Sequence, residues 1–212
     1  MQFRKVEIKK IILVVLSVIV MGFALSFLNR TNLGTDPCTT LNLGISSKLG
    51  LSLGNFQAMF NCLLLLIVFV CDKSQIGWGT IANMFLVGYS FDFFSQLNEM
   101  WISEKIYSSM SGRILVMLPS LVIFILAAAV YMAVQLGTAP YDALPFIIST
   151  GVPGIPFRLI RICWDLSACL LGFLLGSKPG IVTIIMAFAL GPVTTWVKVH
   201  LMDKYLYRES SI

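Results

Sequence analysis

Arg158, Arg161 and Asp165 stand inside the apolar stretch "FRLIRICWDLSACLLGFLLG". Steps of three and four residues place them on one helix face, and Arg161 can pair with Asp165 one turn on. An ion at the centre of a bilayer costs roughly 2.5–3.5 kcal/mol even on permissive insertion scales. Asp165 therefore reads either as a proton or substrate relay or as half of a structural ion pair. Asp92, in "GYSFDFF", is the other carboxylate set in an apolar run and the second coupling candidate. Asn61 and Asn83 interrupt apolar runs too, with Gln57 one turn from Asn61. Interhelical hydrogen bonds account for such amides, and contact with a solute is the alternative. Cys38 follows Asp36 and Pro37, where a helix N-terminus would make a thiol reactive or a soft-metal ligand. No second ligand stands at metal spacing, the five cysteines contain no CxxC, and His200 is the sole histidine. The cysteines read as small apolar residues, so neither metal nor cofactor is expected. No defensible nucleophile–base pair, nucleotide loop or lipid-enzyme signature occurs, so enzymatic chemistry is not expected.

Around these residues the chain repeats itself. "NLGTDPCTTLNLGIS" begins at Asn32 and "QLGTAPYDALPFIIS" at Gln135, 103 residues later. Seven of the fourteen positions from Leu33 to Ser46 are identical at that offset. Gly77, Thr80 and Gly88 match Gly180, Thr183 and Gly191 in the same way. Leu-Gly-Thr-X-Pro starts a helix. Gly34 and Gly137 let the chain turn and approach closely. Thr35 and Thr138 can cap with their hydroxyls, as can Asp36. Pro37 and Pro140 suit the first helical turn, and Asp142 is a favourable first-turn carboxylate. A helix start at membrane depth leaves free N–H groups that lipid cannot satisfy. Paired broken helices of this kind point to a solute site. The candidate contacts are Thr35, Asp36, Cys38, Asn42, Asn61, Asn83, Thr138, Tyr141 and Asp142. The competing reading is a pair of ordinary surface turns.

The elements that must position these residues follow from composition. The chain has 212 residues, 58% hydrophobic and 12% charged, which excludes an ordinary soluble domain. Continuous apolar runs favour helices over a barrel, and no basic–aromatic interleaving suggests nucleic acid. Long helices are expected over 11–30, 54–72, 77–97, 113–134, 155–175 and 179–199, with short ones over 36–50 and 139–151. The fold class is thus an all-α polytopic membrane protein of two inverted repeats. Each repeat has three long transmembrane helices and one short broken or re-entrant helix. The first segment lacks a good cleavage site and is read as a retained helix. With the N-terminus inside, ten basic residues fall at cytoplasmic ends (Arg4, Lys5, Lys9, Lys10, Lys73, Arg158, Arg161, Lys198, Lys204, Arg208) and five outside. Trp78 and Trp196 then share the cytoplasmic interface. The divisions are a cytoplasmic segment 1–10, repeats 11–97 and 113–199, an extracytoplasmic loop 98–112 and a cytoplasmic tail 200–212.

The run of "LGTDPCTTLNLGIS", "LSLGNFQAMFN" and "GWGTIANMFLVGYSFDFF" resembles the YczE/YitT-like bacterial integral membrane proteins, over nearly the whole chain. The resemblance implies an inner-membrane protein, plausibly a transporter, and little chemistry. Cys38 departs from the aromatic residue expected after the proline, while Tyr141 fills the matching place. The leading expectation is a small transporter or permease in the bacterial cytoplasmic membrane, both termini cytoplasmic, taking a polar or anionic solute between the broken helices. Its partners would be the lipid bilayer, that solute and a second copy in a homodimer. A non-transporting scaffold or regulatory protein is the alternative, with a passive channel behind it.

Overall fold

The computed structural model describes residues 2–197, 199 and 200. Lys198 and the tail beyond His200, with Lys204 and Arg208, lie outside the described residues. The element order is α1 (Gln2–Arg30), α2 (Pro37–Leu49), α3 (Leu53–Cys71), a 3-10 turn at Lys73–Gln75, α4 (Trp78–Trp101), α5 (Glu104–Ser108), α6 (Met110–Val134), α7 (Pro140–Gly151), α8 (Phe157–Leu174) and α9 (Ile181–Val197). Among the described residues there is no strand.

Among the described residues three helical stretches are long and apolar enough to cross a membrane: Ile8–Arg30, Leu53–Cys71 and Met110–Val134. The outward faces carry large apolar side chains such as Leu63, Leu66, Val70 and Leu115. In water such a surface would be a liability; against lipid it is the expected one. The expected loop over 98–112 is mostly helix instead. α4 continues to Trp101, and α5 follows after Ser103. Serine caps explain the change: Ser103 Oγ accepts from Lys105 N (3.4 Å) and Ser109 Oγ from Gly112 N (3.1 Å).

α1 is the central post, packed along α4 and α6. Val14, Val18, Leu25 and Leu28 meet Val87, Phe91, Phe124, Tyr131 and Val134 in the main core. A Cβ on Gly22 would stand 2.6 Å from Ser90 Cβ, and Arg30 Nη1 donates to Asn98 Oδ1 at 2.6 Å. Successive contacts therefore climb both helices together, so α1 and α4 run the same way. α6 begins beside the far end of α1, where Arg30 lies 4.6 Å from the centroid of the Tyr107 ring and Arg113 Nε donates to Tyr107 O (2.7 Å). It ends at the start of α4, where Gly79 N donates to Leu136 O (2.7 Å). α6 thus runs against α1 and α4. α2 packs on α8, and α3 on α4 and α7. Paired glycines bring two of these contacts to backbone distance, Gly44 with Gly172 and Gly54 with Gly88.

Candidate functional site

The repeated motif first makes a joint. Gly34 (φ 102°) and Gly137 (φ 106°) occupy conformations that side chains disfavour, and each turns its chain onto the other half. Leu33 O accepts from Val182 N (3.0 Å) at the start of α9, as Leu136 O accepts from Gly79 N at the start of α4. The receiving ends are alike: Gly180 N donates to Thr183 Oγ1 (3.2 Å) and Gly77 N to Thr80 Oγ1 (3.0 Å). A Cβ would come within 2.1 Å of Leu33 O at Gly180 and within 2.2 Å of Leu136 O at Gly77. The matched Gly and Thr pairs carried this signal in the sequence, where they read only as repetition.

Past the joint, helix capping differs from expectation. Asp36 caps α2, its Oδ1 accepting from Thr39 N (3.0 Å). Thr35 does not cap; its hydroxyl sits 3.1 Å from that of Thr40. Thr138 does not cap either. Its N donates to Gln75 O (2.9 Å) and its hydroxyl to Gln75 Oε1 (3.1 Å), so the α3–α4 turn has claimed both groups. α7 has Ala139 at its N-cap and so starts without a side-chain cap. The turn that holds Thr138 is itself held by Asp72, which accepts from the Ser74 hydroxyl (2.6 Å) and Gln75 Nε2 (3.2 Å). Those bonds, the Ser74 hydroxyl first, keep the Asp72 carboxyl below its ordinary range.

Both short-helix starts line one cavity of about 660 Å³. Asp36, Cys38 and Thr39 come from the first, and Thr138, Ala139, Tyr141 and Asp142 from the second. Gln57 and Asn61 face it from α3, Asn83 from α4, and Arg158 and Arg161 from α8. Met21, Leu25, Val87, Phe124 and Tyr131 supply apolar wall. Gln57, Asn61 and Asn83 are buried, and their side-chain amides make no hydrogen bond to any described residue. Gln57 Oε1 and Asn61 Oδ1 are fully buried without a partner among the described residues. Leaving such a group unmatched costs roughly 1–3 kcal/mol each, so the cavity presents a demand for a polar occupant. The interhelical bonding that would have explained them is absent among the described residues.

Asp165 sits in a network behind this wall. Arg161 Nε donates to Asp165 Oδ2 (2.9 Å) and Nη1 to Asp142 Oδ1 (2.7 Å). Tyr141 completes it, its hydroxyl donating to Asp165 Oδ1 at 2.9 Å. One guanidinium therefore bridges carboxylates from α7 and α8, and both oxygens of the buried Asp165 are matched. Asp142 serves this bridge rather than an N-terminal cap. Sequence reasoning found the Arg161–Asp165 pair from its spacing; nothing local signalled Tyr141 or Asp142 as its partners.

Several expected site residues lie elsewhere. Thr35 borders a separate hollow of about 240 Å³ with Asn32, Ser47 and Lys178. Asn42 is wholly buried in α2, its Nδ2 pointing to Cys38 Sγ at 3.6 Å. Asp92 is a structural cap: Oδ2 accepts from Gly54 N (2.8 Å) at the start of α3, and it does not line the cavity. Arg158 lines the cavity mouth but makes no ion pair among the described residues. Among the described residues no three His, Cys, Asp or Glu side chains gather closely enough to hold a metal.

A family model described as "Family of unknown function (DUF6198)" matches residues 8–199. The chain belongs to the DUF6198 family. A Haemophilus influenzae relative, described as "Uncharacterized protein", is 27% identical over 190 residues, covering 88% of this chain and 82% of that one. The "Uncharacterized membrane protein YczE" of Bacillus subtilis is 24% identical over 174 residues, covering 82% and 78%. "Uncharacterized protein YyaS" of the same organism is 25% identical over 135 residues, covering 63% and 65%. No solved structure matches. The YczE relative and the three apolar helices make this DUF6198 chain a YczE-like membrane protein, and the matched range takes in both joints, the cavity and the Arg161 network.

Proposed function

We propose that the chain is a small secondary transporter or permease, binding a polar or anionic solute between two broken helices. The observation that carries the reading is the shared cavity, with both short-helix N-termini and the amides of Gln57, Asn61 and Asn83 around it, two of them with a buried unmatched oxygen. Helix starts favour an anionic group. α2 and α7 have 13 and 12 residues; at 1.5 Å per residue each reaches only about 20 Å, which suits re-entrant rather than crossing helices. Inverted repeats are supported by the constant 103-residue offset, by the reciprocal joints and by the opposed directions of α1 and α6. The excess of basic residues on one side favours both termini in the cytoplasm of a bacterial cell. On this reading the protein binds and moves its solute without bond chemistry, and the Arg161–Asp165 pair is the coupling element.

Proteoliposome uptake tests the reading. The full chain is reconstituted and challenged with a panel of small labelled metabolites, with and without a pH gradient. Saturable uptake of at least one solute is expected, and Asp165→Asn should abolish its dependence on the gradient while the protein stays folded. A panel that yields neither uptake nor ligand-induced thermal stabilisation would move the assignment to a scaffold acting through a partner.

A further inference from the structure

The cavity wall contributed by α3 and α4 differs chemically from the rest. Gln57, Asn61 and Asn83 are 4%, 2% and 7% exposed. They flank the tight crossing of α3 and α4 at Gly54 and Gly88, where a Cβ on Gly88 would lie 3.4 Å from Gln57 Oε1. None of the three bonds to another, and none bonds across to a different helix among the described residues. They are therefore not the interhelical ties that amides in apolar helices usually form.

The repeat shows what stands at the same places in the other half. At the 103-residue offset the matching positions are Ile160, Trp164 and Met186. The α8–α9 pair of the other half carries no amide at these places and crosses differently: Phe157 stands where Gly54 does, and a Cβ at Gly191, the counterpart of Gly88, meets no described atom within 4 Å. The three amides thus belong to the cavity wall of one half alone, where Gln57 Oε1 and Asn61 Oδ1 are buried without a partner among the described residues. The nearby charged groups are mostly occupied by the protein itself. Arg161 spans Asp142 and Asp165, and Asp36 Oδ1 holds Thr39 N while its Oδ2 has no partner among the described residues. The unpaired Arg158 stands at the exposed start of α8 and lines the same cavity.

We infer that Gln57, Asn61 and Asn83 form a recognition site for an uncharged head group carrying both hydrogen-bond donors and acceptors, such as an amide, lactam or hydroxyl, on a solute with an apolar body. A carboxamide presents two donors at one end and an acceptor at the other, and a half-turn of its terminal torsion exchanges them. Three such groups can match a neutral head of mixed polarity and offer no charge to an ion. Met21, Leu25, Val87 and Phe124 receive the body. A site built on buried hydrogen-bonding groups rejects analogues that leave them unmatched far more strongly than a greasy pocket rejects a size change. This rests on the reading of the cavity as a solute site and specifies which part of the solute is read there.

The test uses three probes of one shape on the purified full chain: benzamide, benzoate and benzylamine at neutral pH, the neutral, anionic and cationic versions. Thermal-unfolding titrations yield an apparent Kd for each. Benzamide should bind best. Gln57→Ile and Asn83→Met, which import the residue of the other half, should raise the ligand-free unfolding midpoint and weaken benzamide at least tenfold, leaving benzoate unchanged. Gln57→Glu keeps the shape and adds a charge, so it should turn the preference to benzylamine even if the apolar variants fail to fold. Benzamide without effect on the native chain, or a benzamide Kd unmoved by the variants, would overturn the inference. So would apolar variants that only lower the ligand-free midpoint. If benzamide binds as expected but no solute crosses liposomes, transport fails and recognition stands; uptake indifferent to all three amides gives the converse.

Discussion

Asp36 and Ala139 occupy the same place in their halves, one residue ahead of Pro37 and Pro140. The first caps its own helix; the second leaves its helix uncapped. The contrast continues outward. Thr39 of the first half corresponds to Asp142, which reaches across to Arg161; Arg161 and Asp165 correspond in turn to Ala58 and Cys62. The amides Gln57 and Asn61 correspond to Ile160 and Trp164. The Lys73–Gln75 turn grips Thr138, whereas Lys178, the counterpart of Gln75, borders a hollow next to Thr35. The joints, by contrast, share their central contacts, Gly79 N to Leu136 O in one and Val182 N to Leu33 O in the other. Joint geometry is written in backbone groups and glycines, which tolerate no alternative, so it is common to both halves. Polar side chains around the cavity are under no such packing demand, and the halves have divided them into a neutral wall and a charged latch.

The largest effects should come from attacking what the halves share. Gly77→Val and Gly180→Val each force a side chain into a carbonyl and should each destabilise by about 3 kcal/mol or more. Gly151→Ala, with open space around it, should be neutral. Thermal unfolding and the yield of monodisperse protein measure this; tolerance at only one of the two joints would break their equivalence.

Next comes what they do not share. Arg161→Gln leaves two carboxylates facing each other, one of them buried, and should cost about 3–5 kcal/mol. Adding Asp165→Asn should recover a good part of that loss, since the defect is the buried charge left alone. Cys62→Ala, at the position matching Asp165 in the other half, should stay within about 0.5 kcal/mol. A double-mutant cycle read by unfolding midpoints decides it, and an additive cycle would mean the latch is not a unit.

The smallest effect is at the caps. Asp36→Ala should cost about 1 kcal/mol and speed hydrogen exchange at the Thr39 amide. Ala139→Ser should recover a fraction of that amount for α7. Equal exchange at Thr39 with and without the carboxylate would erase this difference between the tips.

Most of the framework was legible in the chain itself. Long apolar runs set the helices, and Pro37 and Pro140 marked the starts of the short ones, because burial and φ restriction act locally. The i, i+4 spacing of Arg161 and Asp165 sufficed for their pairing, since one helix carries both. Threonine hydroxyls misled, as a hydroxyl beside a helix start has several partners within reach. Thr138 chose Gln75, from 63 residues earlier. The partner of Asp92 was hidden for the same reason: it is the N-terminus of α3, which only the α3–α4 crossing brings near.

The sequence by itself determined that this is a helical membrane protein with an internal sequence repeat, and that short helices start at Leu-Gly-Thr-X-Pro. Periodicity, length and turn chemistry are properties of neighbouring residues and survive without knowing the fold. Only the tertiary structure decided that each joint docks on the opposite half, that Tyr141 and Asp142 close the Arg161 network, and that three amides remain unmatched around a common cavity. Those outcomes depend on which helices cross and at what height, and a hydrogen bond a few ångströms long between distant segments exists only once that crossing is made.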